Sequence, residues 1–123
     1  MGLRALTVVI VVATGCARTN AGGRANPLAG NPTAPAQGEK LFASMNCDGC
    51  HGGGAIGFAA PSLVDGRWRY GGEDSTVFRS IVAGRPRGMP AFGALLDDGT
   101  IWQLVSYLRA QPVPNVVPTQ VWP

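Results

Sequence analysis

The stretch Cys47-Asp48-Gly49-Cys50-His51 decides how this chain folds. Two thiols separated by two residues, with an imidazole on the next position, have the spacing that attaches a c-type haem. Each thiol can form a thioether with one vinyl group of the porphyrin, and the histidine can then bind the iron from one face. The motif therefore predicts covalent attachment through Cys47 and Cys50, with His51 as the first axial ligand.

Two other uses of these residues fit the sequence less well. A closed zinc site requires four Cys or His ligands, whereas the chain has three Cys and one His, and Cys16 lies in a predicted secretion leader. A thioredoxin-like dithiol follows a strand in a βαβ pattern, whereas the segment before Cys47 is typical of a short helix. A structural or accidental Cys-x-x-Cys-His remains the alternative.

The second ligand of the iron cannot be a histidine of the same chain, because the sequence contains only His51. The candidates are Met45, Met89, Lys40 or no residue at all. Met45 lies on the arm that delivers His51, so it could reach the opposite face only with strain. Met89 follows a predicted helix, and the neighbouring prolines and glycine of Arg85-Pro86-Arg87-Gly88-Met89-Pro90 restrict its backbone. We expect Met89 to be the ligand; the alternative is a methionine that fills a gap in the core.

Ligation by histidine and methionine raises the reduction potential of the iron. It also fills the sixth coordination position, which leaves little room for oxygen or peroxide chemistry. The predicted ligand set therefore favours an electron carrier over an enzyme.

The fold is predicted from three amphipathic segments between residues 37 and 111. A first helix is expected over Gln37–Asn46, a second from an N-cap at Asp74 or Ser75 to Ala83, and a third over Asp98–Ala110. In the third, apolar side chains recur at i, i+3, i+4 and i+7. No segment alternates as a strand would. We expect an all-α domain of three to four short helices around one covalent haem, which supplies apolar surface that so short a domain lacks.

The two ends of the chain are predicted to lie outside this domain. Residues 1–15 combine a positive charge, an apolar stretch and small residues, as a bacterial secretion signal does. They resemble a lipoprotein signal, so we expect lipid attachment at Cys16; cleavage beyond Cys16 is the alternative. Residues 16–36 predict a flexible tether, and the prolines of residues 112–123 predict an extended tail. These features indicate a protein of the bacterial periplasm, anchored to a membrane by lipid.

The charge of the chain argues against nucleic-acid binding. The net charge is +3, and loss of the leader together with two haem propionates would bring it close to zero. Five arginines nevertheless lie close together in the sequence, and we call them the arginine rim: Arg67, Arg69, Arg79, Arg85 and Arg87. Two of them can pair with propionates, and the others can steer an acidic partner or simply be solvated.

Six motifs follow one another along the chain: Gly38-Glu39-Lys40-Leu41-Phe42, the Cys47 to His51 motif, Ala60-Pro61-Ser62-Leu63, Trp68-Arg69-Tyr70-Gly71, Gly88-Met89-Pro90-Ala91-Phe92 and the segment from Ile101 to Leu108. Together they resemble a class I cytochrome c, and most of all the small monohaem domains grouped with the third subunit of cbb3-type oxidases.

The resemblance implies three contacts. The first and last helices would cross, with Gly38 and Phe42 meeting Tyr107 or its neighbours. The Pro61 carbonyl would accept a hydrogen bond from the His51 ring, and Trp68 would lie near a haem propionate.

We therefore expect an exported cytochrome that passes single electrons between a donor and an acceptor protein. Two other classes stay open. The chain could be the cytochrome subunit of a larger dehydrogenase or terminal oxidase complex, or it could be a haem-based gas sensor with an easily vacated sixth position.

Overall fold

A computed structural model describes residues 23–115. They form four α-helices, α1 (Ala34–Ser44), α2 (Cys47–His51), α3 (Asp74–Ala83) and α4 (Asp98–Ala110), with a 3-10 turn after α2. Within these residues the only β-type pairing is one isolated bridge, between Arg85 and Met89. The predicted all-α class is confirmed. The leader, the lipid site Cys16 and residues 116–123 of the tail lie outside the described residues.

Helices α1 and α4 cross in close contact, as expected. Gly38 makes the approach possible, because a Cβ atom at this position would overlap the backbone carbonyl oxygen of Gln103. One turn further along α1, the rings of Phe42 and Tyr107 lie 5.1 Å apart between their centroids. The crossing fixes the arm that leads into α2.

Helix α4 is the centre of the core. Its predicted stripe is buried, but so are side chains outside the stripe, including Trp102, Ser106 and Tyr107. Trp102 stacks on Phe78 of α3 at 4.3 Å between ring centroids. The helix is therefore covered on more than one side.

Helix α1 differs from its prediction at both ends. It begins at Ala34 instead of Gln37, because Pro35 is favourable in a first turn and the Asn31 side chain accepts hydrogen bonds from the Thr33 and Ala34 N–H groups. It ends at Ser44 instead of Asn46, whose φ of 58° is left-handed.

The segment before α1 packs on the domain from Asn26 onward. The Asn26 side chain is 6% exposed and donates a hydrogen bond of 2.9 Å to the Ser106 hydroxyl of α4. Leu28 packs against the core two residues later. This part of the predicted tether is therefore part of the folded body, while residues 16–22 lie outside the described residues.

Helix α3 runs to Ala83 as predicted and ends at Gly84, which has a φ of 69°. Its N-cap is Glu73 in an extended conformation, so Asp74 is the first helical residue, and the cap predicted at Asp74 or Ser75 was one or two residues too late. Across residues 23–115, no helix combines the length and apolar character that crossing a bilayer requires.

Candidate haem site

The attachment motif forms its own short helix. Asn46 turns the chain with a φ of 58° before Cys47, and Gly52 ends α2 with a φ of 75°. Helical spacing places Cys47, Cys50 and His51 at i, i+3 and i+4, on one side of the helix. Both cysteines are free thiols, Cys47 half-buried and Cys50 exposed. Two accessible sulfurs beside an imidazole are the groups that covalent haem attachment uses.

The His51 ring is oriented by the backbone. Its Nδ1 lies 2.8 Å from the Pro61 carbonyl oxygen, which is the contact that the resemblance to cytochromes c implies. With the proton on Nδ1, this bond leaves the Nε2 lone pair available to a metal. Burial lowers the pKa of His51, and the bond to Pro61 opposes that effect. The imidazole is therefore neutral at pH 7, in the form that binds iron.

The loop that carries Pro61 is tied to α2 by backbone hydrogen bonds. The Gly57 N–H donates to the His51 carbonyl at 2.6 Å, and the Ala60 N–H donates to the Cys50 carbonyl at 2.7 Å. Gly57 has a φ of 100°, and a Cβ atom there would lie 2.8 Å from the Ser62 nitrogen. Glycine is therefore required for the loop to return Pro61 to the histidine.

Burial makes the Cys47 thiol a poor candidate for the reactive thiol of a redox pair. Burial, with a further contribution from the Asp48 carboxylate, raises the pKa of the Cys47 thiol to about 11. Catalytic Cys-x-x-Cys pairs instead contain a thiol of lowered pKa. Among residues 23–115 no three Cys, His, Asp or Glu side chains cluster as a metal site. Thioether attachment remains the use that fits these cysteines.

Met89 lies at the end of a tight hairpin after α3. The Arg85 N–H donates to the Met89 carbonyl at 3.0 Å, and the Phe92 N–H returns to the Ile81 carbonyl at 3.0 Å. Gly84 allows the approach, since a Cβ atom there would lie 2.6 Å from the Met89 carbonyl oxygen. The thioether is therefore carried by a backbone that is fixed at both ends.

The other two sequence candidates are placed differently. Met45 is the half-buried C-cap of α1, two positions before Cys47 on the arm that leads to the histidine. Lys40 is exposed on α1. The choice of Met89 as second ligand stays a prediction, and so does the proximity of Trp68 to a propionate.

Trp68 is held by a residue that sequence reasoning missed. The Arg109 guanidinium lies 5.2 Å from the centroid of the Trp68 ring. It also donates to Asp74 at 2.7 Å and to the Gly72 carbonyl. An arginine in the last turn of a helix is already explained by its favourable interaction with the helix dipole. Nothing in a single sequence therefore indicates that Arg109 also contacts Trp68, Asp74 and Gly72.

Apolar side chains near the candidate ligands are only partly covered by protein. These half-buried residues pack against the core on one side and keep exposed surface on the other: Cys47, Leu63, Trp68, Phe78, Val82, Met89, Phe92 and Leu96. They come from α2 and the loop after it, from α3, and from the segment that carries Met89. Partly exposed apolar side chains of this kind, together with the Cys-x-x-Cys-His donor set, fit a covalently bound haem.

Residues 33–108 match the sequence model of the family described as cytochrome c oxidase, cbb3-type, subunit III. Among curated relatives, the cbb3-type oxidase subunit CcoP of Azospirillum brasilense is 40% identical over 83 residues, which are 62% of this chain and 28% of that protein. The FixP subunit of Bradyrhizobium diazoefficiens is 38% identical over 90 residues, 68% of this chain and 31% of that protein. The chain therefore spans less than a third of the length of these relatives.

Solved structures with the same fold include a cytochrome cL from Methylophaga aminisulfidivorans. It has a TM-score of 0.66 and 28% identity, and the match covers 70% of this chain and 58% of that one. A cytochrome c6 from the diatom Phaeodactylum tricornutum has a TM-score of 0.52 and 28% identity, covering 62% of this chain and 91% of that one. The arrangement of helices around the candidate site is thus that of cytochromes c.

Proposed function

Because the chain belongs to the family of cbb3-type cytochrome c oxidase subunit III, whose cytochrome c domain carries covalent haem c, we propose that it is a monohaem electron carrier. In this proposal Cys47 and Cys50 attach the haem, His51 and Met89 bind the iron, and Pro61 orients the histidine. The observation that supports it most is the hydrogen bond from His51 to the Pro61 carbonyl, which leaves Nε2 free for a metal.

The bound haem supplies a one-electron couple between ferric and ferrous iron. The chain would hold the iron through the His51 imidazole, which Pro61 orients, and through the Met89 thioether on its hairpin. A neutral, soft sulfur ligand favours the reduced metal and raises its potential. If His51 and Met89 both bound the iron, the protein would be suited to passing electrons and poorly suited to activating oxygen, so we do not propose an enzymatic activity of its own.

The relatives favour a second candidate function. Several are named as subunits of a cbb3-type oxidase, so this domain could deliver electrons as part of a respiratory complex. Co-purification in mild detergent separates the two functions. A carrier is recovered alone, whereas a subunit elutes with oxidase chains at constant stoichiometry. Recovery with the chains of a dehydrogenase would instead indicate that the protein is the cytochrome subunit of that dehydrogenase, which is then its electron donor.

We further propose that the protein is exported to the periplasm and anchored through lipid on Cys16. The support is the leader-like sequence of residues 1–15 ending beside a cysteine. Mass spectrometry of the mature protein tests this. A mass with acyl chains on an N-terminal Cys16 is expected, and a start beyond Cys16 would contradict the anchor.

The ligand set is tested on protein produced with full haem maturation machinery. The pigment should resist extraction into acidified acetone, because two thioethers hold it. Met89→Ala should abolish the weak near-infrared sulfur-to-iron band of the oxidised protein and lower the reduction potential. Met45→Leu is the matched control and should keep both. Persistence of the band in Met89→Ala would refute the assignment.

Carbon monoxide distinguishes a carrier from a gas sensor. The native reduced protein should show no ready spectral shift with the gas at neutral pH, because Met89 occupies the sixth position. Met89→Ala should bind it readily. A rapid shift in the native protein would favour the sensor or an oxygen-reactive enzyme.

A further inference from the structure

Arg85 is engaged within the protein, although the sequence placed it in the arginine rim. Its Nε donates to the Ser80 hydroxyl at 3.0 Å, and its Nη2 donates to the same oxygen at 2.6 Å. Its guanidinium carbon lies 4.3 Å from the centroid of the Tyr70 ring. Two donors of one planar group therefore meet a single hydroxyl while an aromatic ring lies against the group.

The partner of Arg85 is itself fixed on α3. The Ser80 hydroxyl donates to the Thr76 carbonyl at 2.8 Å, so its lone pairs are directed toward the guanidinium. Arg85 is the first residue after Gly84, where the chain leaves the helix. A side chain anchored at that position fixes the direction in which the following hairpin starts.

The hairpin needs such support because its turn is intrinsically unfavourable. Arg87 has a φ of 79° and Gly88 a φ of 103°. A positive φ is uncommon for a residue with a Cβ atom, so surrounding contacts must hold it. The Arg85 backbone closes the hairpin through its hydrogen bond to the Met89 carbonyl, and its side chain attaches the same residue to α3 and Tyr70.

We propose that the Arg85 side chain, held by Ser80 and Tyr70, is a positioning group that keeps hairpin 85–89 in the conformation presenting Met89 to the iron. This inference rests on the proposed role of Met89 as a ligand. It assigns Arg85 to ligand retention, whereas a rim arginine would act through its charge on a partner or a propionate.

The two roles respond differently to conservative changes. Arg85→Lys keeps the positive charge but loses the planar fork that reaches Ser80. Ser80→Ala removes the acceptor and leaves every charge in place. A charge-based role tolerates both changes, whereas a positioning role tolerates neither. Arg79→Gln is the matched control, because it removes an exposed rim charge whose side chain donates a hydrogen bond to Thr76 on its own helix.

The experiment measures how readily added imidazole displaces the native sixth ligand of the oxidised, haem-loaded protein. Arg85→Lys and Ser80→Ala should each raise the apparent imidazole affinity about tenfold, the effect of losing a hydrogen bond to a charged group. Arg79→Gln and Tyr70→Phe should match the parent, since the second keeps an aromatic ring under the guanidinium. The near-infrared band should weaken in the first two variants and stay unchanged in the controls.

The possible results distinguish a failure of the positioning role of Arg85 from a failure of Met89 as the iron ligand. If Met89→Ala loses the near-infrared band but Arg85→Lys and Ser80→Ala bind imidazole as the parent does, the positioning role is wrong and Met89 remains the ligand. If Arg79→Gln changes the affinity as much as Arg85→Lys does, the effect is not specific to the contact between Arg85 and Ser80, and the inference also fails. If Met89→Ala keeps the band, both ideas fall.

Discussion

Replacing Gly38 by alanine should destabilise the protein, although alanine is the better helix former. Gly38 is buried in α1 at the crossing with α4. An added Cβ would overlap the Gln103 carbonyl oxygen and lie 2.7 Å from the Tyr107 Cβ. Neither neighbour can rotate away, because one atom is backbone and the other is fixed to it. The two helices must therefore move apart.

The expected loss in the free energy of unfolding follows from two opposing effects. Overpacking of a core costs about 1–3 kcal/mol, and a clash with rigid backbone belongs near the upper limit. Against this, alanine is more favourable than glycine inside a helix by about 1 kcal/mol. The net loss is about 2 kcal/mol, or roughly a thirtyfold shift of the unfolding equilibrium.

Gly99→Ala in α4 is the matched control. The nearest atom to an added Cβ there is the Asp97 carboxylate oxygen, at an ordinary 3.4 Å. This variant should gain up to about 1 kcal/mol, since it meets no obstacle. Urea unfolding of the haem-loaded proteins, followed by far-UV circular dichroism, compares the two. A Gly38→Ala protein as stable as the parent would refute the close crossing of the helices.

Three further predictions concern other parts of the domain. Asp97 accepts a hydrogen bond from the Thr100 N–H at 2.7 Å, which lowers the pKa of its carboxyl. At pH 7 Asp97→Ala should therefore unfold at a lower urea concentration than the parent, and Asp97→Asn, which keeps an acceptor without the charge, should lie between them. The parent should lose its advantage over Asp97→Asn as the pH falls through the lowered pKa, because the charged form is the one stabilised on folding. Asn26→Ala should cost about 1–2 kcal/mol by breaking the buried bond to Ser106; an unchanged urea midpoint would mean that this bond does not stabilise the fold. Phe58 is 66% exposed on the loop bonded to α2, so Phe58→Ala should leave stability unchanged and slow electron transfer to a purified redox partner about tenfold at any salt concentration, as loss of a docking aromatic would; an unaltered stopped-flow rate would exclude this contact.

Local patterns in the sequence were enough to predict α3, α4 and most of α1, and one side of the site, but not the short helix α2. The spacing of apolar residues located α3 and α4, because an amphipathic helix carries its period in the sequence. The resemblance supplied the bond between His51 and Pro61, which the structure contains. The start of α1 was missed although Asn31 and Pro35 carried a signal, since the Gly- and Pro-rich composition around them was given more weight.

Contacts between distant residues could not be predicted in the same way. Asn26 and Ser106 are 80 positions apart, and neither has a neighbour in the sequence that indicates the pairing. The arginines show the same limit more clearly. Arg79 and Arg85 are alike in a sequence, yet one contacts its own helix and the other attaches a loop to it. Which arginine turns inward depends on where the chain leaves α3.

The two candidate ligands are held in place differently. Substitutions can therefore alter the binding of one of them to the iron more readily than that of the other. In the proposed site His51 follows Cys50 directly, so a thioether on the adjacent residue and the bond to Pro61 hold it near the iron. Met89 has no covalent restraint of that kind, and its position depends on a hairpin with two residues at positive φ. Substitutions around that hairpin should therefore alter the strength of sulfur ligation and the potential, while the histidine and the covalent attachment stay intact.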